Sequence, residues 1–431
     1  MIFYKCSLFV NFGSHHETTV EERIRILLRR AFILLFARFF IKKLRKKPCF
    51  PYIHSTELLN AMNDSPTIKQ RLYSLDALRG FDMFWIIGAE EVFHSMGTIT
   101  HHPFWEGLSA QFEHPVWNGF TAYDLIFPLF IFLSGVSTPY AIGNAIAAGK
   151  SKNELLWKVI KRGLILVVLG IIYNNGLQLR AISDIRFMSV LGRIGIATML
   201  GSIIYLYTKE RTQIIWFTAL LVGYWLLMKF SSAPGFLPGD LTEAGNFSSY
   251  FDRTVLPGKL SRGIHDTVGL FNNIPAISSA LAGIIAGNYL KNNSDASSKK
   301  SGMMALAGLV SLAIAQLWSI DFPINKNLWS SSFVMHTVGF SLLLFALFYW
   351  VIDVRGYTKW AFFFKVIGMN SILIYMSGKF ISWSYANKGF FQWLGDLIGD
   401  PYNAVSMAIS AVFIKWIFLY LLCQKKIFLK V

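Results

Sequence analysis

Charge is scarce in this sequence. Only 15% of its 431 residues are Asp, Glu, Lys or Arg, against 54% hydrophobic and 16% aromatic. That balance is too apolar for a soluble domain of this size. Cysteine is scarcer still: Cys6, Cys49 and Cys423 are too few and too scattered for a disulfide framework or a thiolate metal centre, so redox chemistry is not indicated. The phosphate-cradling G-x-x-x-x-G-K-[ST] loop and the G-x-S-x-G elbow are both missing, which leaves ATP-driven transport and the common hydrolase chemistry without support. No repeat of fixed period is evident, and the one low-complexity patch, KNNSDASSKKS at 291–301, reads as a solvated loop. His94, His101, His102 and His114 fall close together among carboxylates, yet none has the H-E-x-x-H spacing of a helical zinc site, and no metal is expected.

What the chain has in quantity is long apolar runs. A helix needs about 20 apolar residues to cross a bilayer core. Runs of that kind lie near 77–96, 120–145, 159–178, 187–207, 213–230, 274–290, 302–320, 332–352, 361–380 and 403–422. The expected fold is therefore all-α, a polytopic transmembrane bundle of about ten spans. Lys and Arg concentrate in the loops that would face the cytoplasm if the segment before Ala77 is inside, and this places both termini there. The same asymmetry accounts for the formal charge of +17, so nucleic acid is not an expected partner. The expected location is the inner (cytoplasmic) membrane.

Residues 1–66 differ from the rest. The first 61 carry eleven Lys or Arg against four acidic residues, with the stretch RIRILLRRAFILLFARFFIKKLRKK at their centre. Its apolar core is too short to span, and a basic amphipathic helix on an anionic leaflet fits the pattern. The plainer alternative is a mis-assigned start, since Met62 opens a short polar lead into the first span. Residues 67–431 are read as the transmembrane domain.

Charged groups inside spans are costly, about 2.5–3.5 kcal/mol each on insertion scales, and so mark sites or paired contacts. At about 1.5 Å per residue, Glu90 and His94 fall in the outer third of the first span, four apart on one face. Asp124 lies just below the outer surface in the second span, beneath a loop bearing His101, His102, Glu113 and His114. Arg193 has similar depth, Lys326 and Asn327 sit at the outer mouth, and Asn370 is near the midplane. Acid, imidazole and base in one region suit an anionic ligand and proton transfer. Each residue also has a plain structural reading: Asp76 with Arg79 as an interfacial pair, Asp124 as a helix cap, Arg193 as an ion-pair partner, and Asn370 as helix–helix glue.

The motifs RLYSLDALRGFDMF, HPVWNGFTAYDLIFPLFIFLSGVS, LGRIGIA, PINKNLWSSSFVMHTVGFSLLLFALFYWVID and IGMNSILIYM, in that order, resemble the heparan-α-glucosaminide N-acetyltransferase family and its bacterial relatives from about Arg71 to the C-terminus. The resemblance implies transmembrane acetylation, with acetyl-CoA as cytoplasmic co-substrate and an amino sugar or related glycan as acceptor on the far side. It implies a catalytic His114, from the family's H-x-x-W-N-G stretch, acting as general base or as nucleophile. Asp124 would then orient His114. Arg193, Lys326 and Asn327 would hold the CoA phosphates or the thioester carbonyl, and Trp117, Asn118 and Asn370 would meet the acceptor. Glu90 stands where the animal members resemble each other in having asparagine, so it becomes a candidate second base and the acceptor need not be heparan-derived. Membrane lipids are the other expected partner, and a homodimer is compatible with this reading. The competing expectation is a carrier for an amino sugar, which the same intramembrane charges would suit.

Overall fold

The computed structural model describes residues 72–178, 180–292 and 296–429. The basic N-terminal segment, Cys6 and Cys49 lie outside the described residues. The helices below belong to the unit formed by Ser65–Gly176 and Arg180–Val431. Among the described residues every regular element is helical.

The first apolar run forms α1 (Tyr73–Phe84), a π turn over Trp85–Ala89 and α2 (Glu90–Thr100). Gly88 takes φ of 114°, a conformation open mainly to glycine, and the run breaks there. The break frees the Ile87 carbonyl, which accepts from Lys415 Nζ at 2.5 Å. A short α3 (Pro103–Ala110) follows, capped by His102, and a 3-10 turn over Ala122–Leu125 leads into α4 (Ile126–Ala147). Next come α5 (Lys152–Asn175), α6 (Val190–Tyr207), α7 (Glu210–Phe230), a short α8 (Phe247–Val255) and α9 (Asn273–Lys291). The chain continues through α10 (Ser298–Ser319), α11 (Ser331–Tyr349) with a terminal π turn at Trp350–Val354, α12 (Ala361–Gly368) and α13 (Ser371–Phe380). It closes with α14 (Trp383–Ile398) and α15 (Asn403–Gln424).

Small residues set the closest crossings. A Cβ on Gly283 or Gly287 of α9 would stand 2.0 Å from the Phe132 carbonyl oxygen or 2.5 Å from that of Val136, and one on Gly135 of α4 would stand 2.1 Å from the Ala280 carbonyl oxygen. These helices touch backbone to backbone, as small-xxx-small pairs do in bilayers. Gly80 of α1 and Gly368 of α12 make a second crossing of the same kind. Asp76 and Arg79 pair at 3.5 Å, and Arg79 also reaches the Leu133 carbonyl.

Among the described residues, six stretches are long and apolar enough to cross a membrane: Ala122–Ala147, Val190–Tyr207, Glu210–Phe230, Ser298–Ser319, Ser331–Val354 and Asn403–Gln424. The pair α12 and α13, bent by 64°, makes a seventh if counted as one span. The remaining expected runs are helical but fall short of that measure for visible reasons. The run 77–96 is broken at Gly88, α5 opens with Lys152, Glu154, Lys158, Lys161 and Arg162, and α9 is rich in Ser, Asn and Gly.

Candidate active site

The segment joining α3 to α4 carries the H-x-x-W-N-G motif, and its geometry follows from a few local demands. Gly119 adopts φ of 126°, and its N–H donates to the Ile324 carbonyl (2.9 Å), which binds this loop to the one before α11. Thr121 and Asp124 form a capping box at the start of the 3-10 turn, so the Thr121 N–H donates to Asp124 Oδ2 at 3.1 Å. One carboxylate oxygen is thereby fixed by the backbone, and the other is left for a different task.

That oxygen, Asp124 Oδ1, lies 2.7 Å from His114 Nδ1 and 3.0 Å from Lys326 Nζ. Neither contact is aligned as a hydrogen bond on this buried atom. Asp124 is wholly buried while His114 is half-exposed. Lys326 Nζ also stands 3.2 Å from His114 Nε2. Burial pulls the Lys326 ammonium below the ordinary lysine range, and the Asp124 carboxylate pulls it back up. A carboxylate this close to Nδ1 keeps the imidazole proton on that nitrogen and leaves the lone pair on Nε2.

The triad opens onto a cavity of about 830 Å³, which Trp117 and Asn327 also line. Its other wall comes from Arg186 and from the connection between α7 and α9. Arg186 is held two-pronged by Asp266, at 2.8 and 3.1 Å, and Asp266 also accepts from the backbone N–H groups of Ser261 and Val268. On the same wall His265 packs edge-on against Trp117, 5.0 Å between ring centroids, with Nδ1 3.6 Å from Glu243 Oε2. Burial pulls the His265 imidazole below its usual range, against the opposing pull of Glu243.

The structure thus brings His114, Trp117, Asp124, Lys326 and Asn327 to one cavity and sets the other candidates elsewhere. Arg193 is fully buried behind the cavity wall, over the ring of Trp329 at 4.4 Å and that of Phe127 at 5.6 Å. It pairs with Asn272 Oδ1, and Asn272 in turn donates to the Asn327 carbonyl at 2.7 Å. Its Nε and Nη1 make no hydrogen bond. Asn118 accepts from Asn325 Nδ2 at 3.0 Å. Glu90 keeps a buried, unpartnered Oε2 at the helix break beside Lys415. His94 turns to Ser109 of α3, at 2.7 Å, rather than to Glu90. Asn370 spends its side chain on the C-terminal segment, donating to the Ile427 carbonyl and accepting from the Leu429 N–H, each at 3.0 Å. Among the described residues no group of three or more His, Cys, Asp or Glu side chains is arranged to hold a metal ion.

Sequence reasoning missed the far wall: Arg186, Glu243, His265 and Asp266. They sit in loops that read as ordinary polar connections. For Glu243, His265 and Asp266 the available signal was length, because the stretches on either side of α8 each exceed the usual limit of about 12–15 residues and loops that long are commonly functional.

Comparison with known proteins gives the chain's family. Residues 71–320 match the family described as heparan-alpha-glucosaminide N-acetyltransferase, catalytic. Heparan-alpha-glucosaminide N-acetyltransferase of Mus musculus is 28% identical over 379 residues, covering 74% of this chain and 56% of the mouse protein. The Homo sapiens protein of the same name is 27% identical over 418 residues, covering 84% and 60%. The chain therefore spans less than two thirds of the length of either relative. More than half of it is matched by the family model, and the chain belongs to the heparan-alpha-glucosaminide N-acetyltransferase catalytic family.

Proposed function

We propose that this protein is a membrane-embedded N-acetyltransferase, moving an acetyl group from cytoplasmic acetyl-CoA to the amine of an amino sugar or related glycan on the outer, periplasmic face. The observation that carries the reading is the contact of half-exposed His114 with wholly buried Asp124, 2.7 Å apart at a cavity wall. A lone pair on His114 Nε2 is what acyl transfer requires there. As base, it takes the proton from the acceptor nitrogen as that nitrogen attacks the thioester carbonyl; the C–N bond forms, the C–S bond breaks, and the proton passes to the departing CoA sulfur. As nucleophile, the same lone pair first attacks the thioester carbonyl, forming an N–C bond as the C–S bond breaks and CoA leaves as thiolate; the acceptor nitrogen then takes the acetyl group from Nε2, and its proton goes to the freed imidazole or the thiolate. Asp124 stabilises the cationic imidazole in either route, and the Lys326 ammonium faces the developing oxyanion.

Donor binding falls to Lys326 and Asn327 on the cavity wall, with Arg193 behind them and two guanidine nitrogens unspent. Trp117 offers its ring to the acceptor, because its N–H is already given to the Leu241 carbonyl. Asn118 supports the same loop, and Glu90 is the candidate second base. A substrate contact by Asn370 would require the C-terminal segment to move. Counting α1–α2, α5 and α9 with the six long helices and the bent pair would take the chain across the inner membrane ten times and leave both termini on one side, which the Lys and Arg asymmetry of the loops supports as the cytoplasm. Residues 67–431 then form the catalytic domain, and residues 1–66 a basic segment suited to anionic lipid. Membrane lipids are its constant partners, and a second copy of the chain is compatible with this arrangement.

The test is CoA release by the purified chain in proteoliposomes with acetyl-CoA and a panel of amino sugars, comparing the parent with His114→Ala. Acceptor-dependent release that the variant loses, with acetyl-CoA binding retained, is the expected result. No CoA release alongside saturable sugar uptake would replace this reading with a carrier. Radiolabelled acetyl-CoA quenched without acceptor separates the two routes, since label retained on the parent assigns the nucleophile.

A further inference from the structure

The part of the cavity wall formed by the α7–α9 connection contains a polar pair that neither the fold nor the triad uses. His265 is 5% exposed, and its Nδ1 is buried without a hydrogen-bond partner. Glu243 Oε2 stands 3.6 Å away, just too far for a hydrogen bond, and both residues line the cavity. Among the described residues no lysine or arginine pairs with Glu243. The contrast with Asp266, one residue after His265, is instructive: its two oxygens are consumed by Arg186 and by backbone N–H groups.

The pair is also held in place from behind. Arg253 donates to the Ala244 carbonyl and to the Ile264 carbonyl, each at 2.7 Å. One guanidinium thus pins the residue after Glu243 to the residue before His265. Trp117 Nε1 donates to the Leu241 carbonyl at 2.9 Å, and the Trp117 ring meets the His265 ring, so the pair is registered against the loop that carries His114. A buried imidazole nitrogen left unsatisfied beside a partly exposed carboxylate calls for a ligand group able to donate to both.

We propose that Glu243 and His265 form the docking pair for the acceptor's amine, taking an ammonium or amine N–H between carboxylate and imidazole while Trp117 covers the apolar side. The inference rests on the acetyltransfer reading for its substrate class. An amine is the simplest group with hydrogens for both acceptors, and a carboxylate at the wall favours a cationic or neutral amino sugar over an acidic one. Glu243 is thereby a specificity-determining residue, and Arg253 is a positioning residue acting through it.

The probe is radiolabelled glucosamine, measured by equilibrium dialysis against the purified full chain without acetyl-CoA, for the parent, Glu243→Gln and His265→Gln. Acetyl-CoA binding is measured on the same samples. Loss of one charge-assisted hydrogen bond weakens glucosamine binding by about tenfold to a hundredfold in Glu243→Gln, with acetyl-CoA binding unchanged, and His265→Gln weakens it less because its amide oxygen still accepts. Unchanged glucosamine binding in Glu243→Gln overturns the assignment. So does a parallel loss of acetyl-CoA binding, which would mark general damage, and so does a parent that binds no glucosamine. Selective loss of glucosamine binding together with no CoA release by the parent would uphold the docking pair and remove the acetyltransfer reading.

Discussion

At the scale of single residues, the site depends on a carboxylate that has been given two different jobs. Oδ2 of Asp124 closes a capping box and Oδ1 faces His114 and Lys326. An amide can keep the first job but not the second. Asp124→Asn should leave the turn folded and lower turnover by about 10²–10⁴-fold, because the Lys326 ammonium would then face His114 with no anion between them. CoA-release kinetics alongside thermal unfolding check this, and an unchanged rate would remove Asp124 from the mechanism. Asp124, Lys326 and Asn327 were legible in the sequence because each is a polar group where lipid or its boundary should be, and His114 was legible through the H-x-x-W-N-G stretch. Glu243 and His265 were not, since a carboxylate in an aqueous loop draws no attention until the loop folds back over a cavity. Arg193 and Asn370 were legible as costly buried groups, but the atoms that satisfy them, Asn272 and the 427–429 backbone, are distant in sequence.

At the scale of elements, α4 and α9 meet through glycine. Replacing Gly283 with alanine places a methyl 2.0 Å from the Phe132 carbonyl oxygen, so the helices must part. Overpacking of this kind costs about 1–3 kcal/mol. Gly283→Ala should lower the melting temperature in detergent clearly more than Gly302→Ala, whose added methyl meets nothing within 4 Å. The helical runs were legible from apolar length alone; the break at Gly88 was not, because it needs Lys415 from the far end of the chain to cap the freed carbonyl. The short α8 supplies a pH-dependent contribution. Burial raises the Asp252 carboxyl to about 6 from 3.8, although it accepts from the Leu270 and Phe271 N–H groups. The folded state thus holds the proton more tightly than the unfolded chain, so this contribution is fully present below about pH 4 and is lost as the pH rises through about 6. Melting temperatures of the parent relative to Asp252→Asn should fall across that window and level off above it. A difference that rises with pH would contradict the assignment.

At the scale of the whole molecule, the proposed reaction needs two sides. Val116 is 93% exposed beside the His114 loop, and Lys299 opens α10 at the other end of the chain's proposed crossing. In a cysteine-free background, Val116→Cys should react with an impermeant maleimide from outside intact cells, and Lys299→Cys only after the membrane is opened. The reverse pattern would invert the orientation and move the acceptor to the cytoplasm. The family match ends at residue 320, yet Lys326 and the Ile324 carbonyl that anchors Gly119 lie just beyond it. This has a consequence for how the protein is made. While the ribosome is still extending the chain through its first spans, His114 and Asp124 are already present but have neither their cation nor the loop that seats them. Under the proposed mechanism the chemistry is withheld until the segment before α11 arrives, so a half-inserted chain would not begin to react with acetyl-CoA.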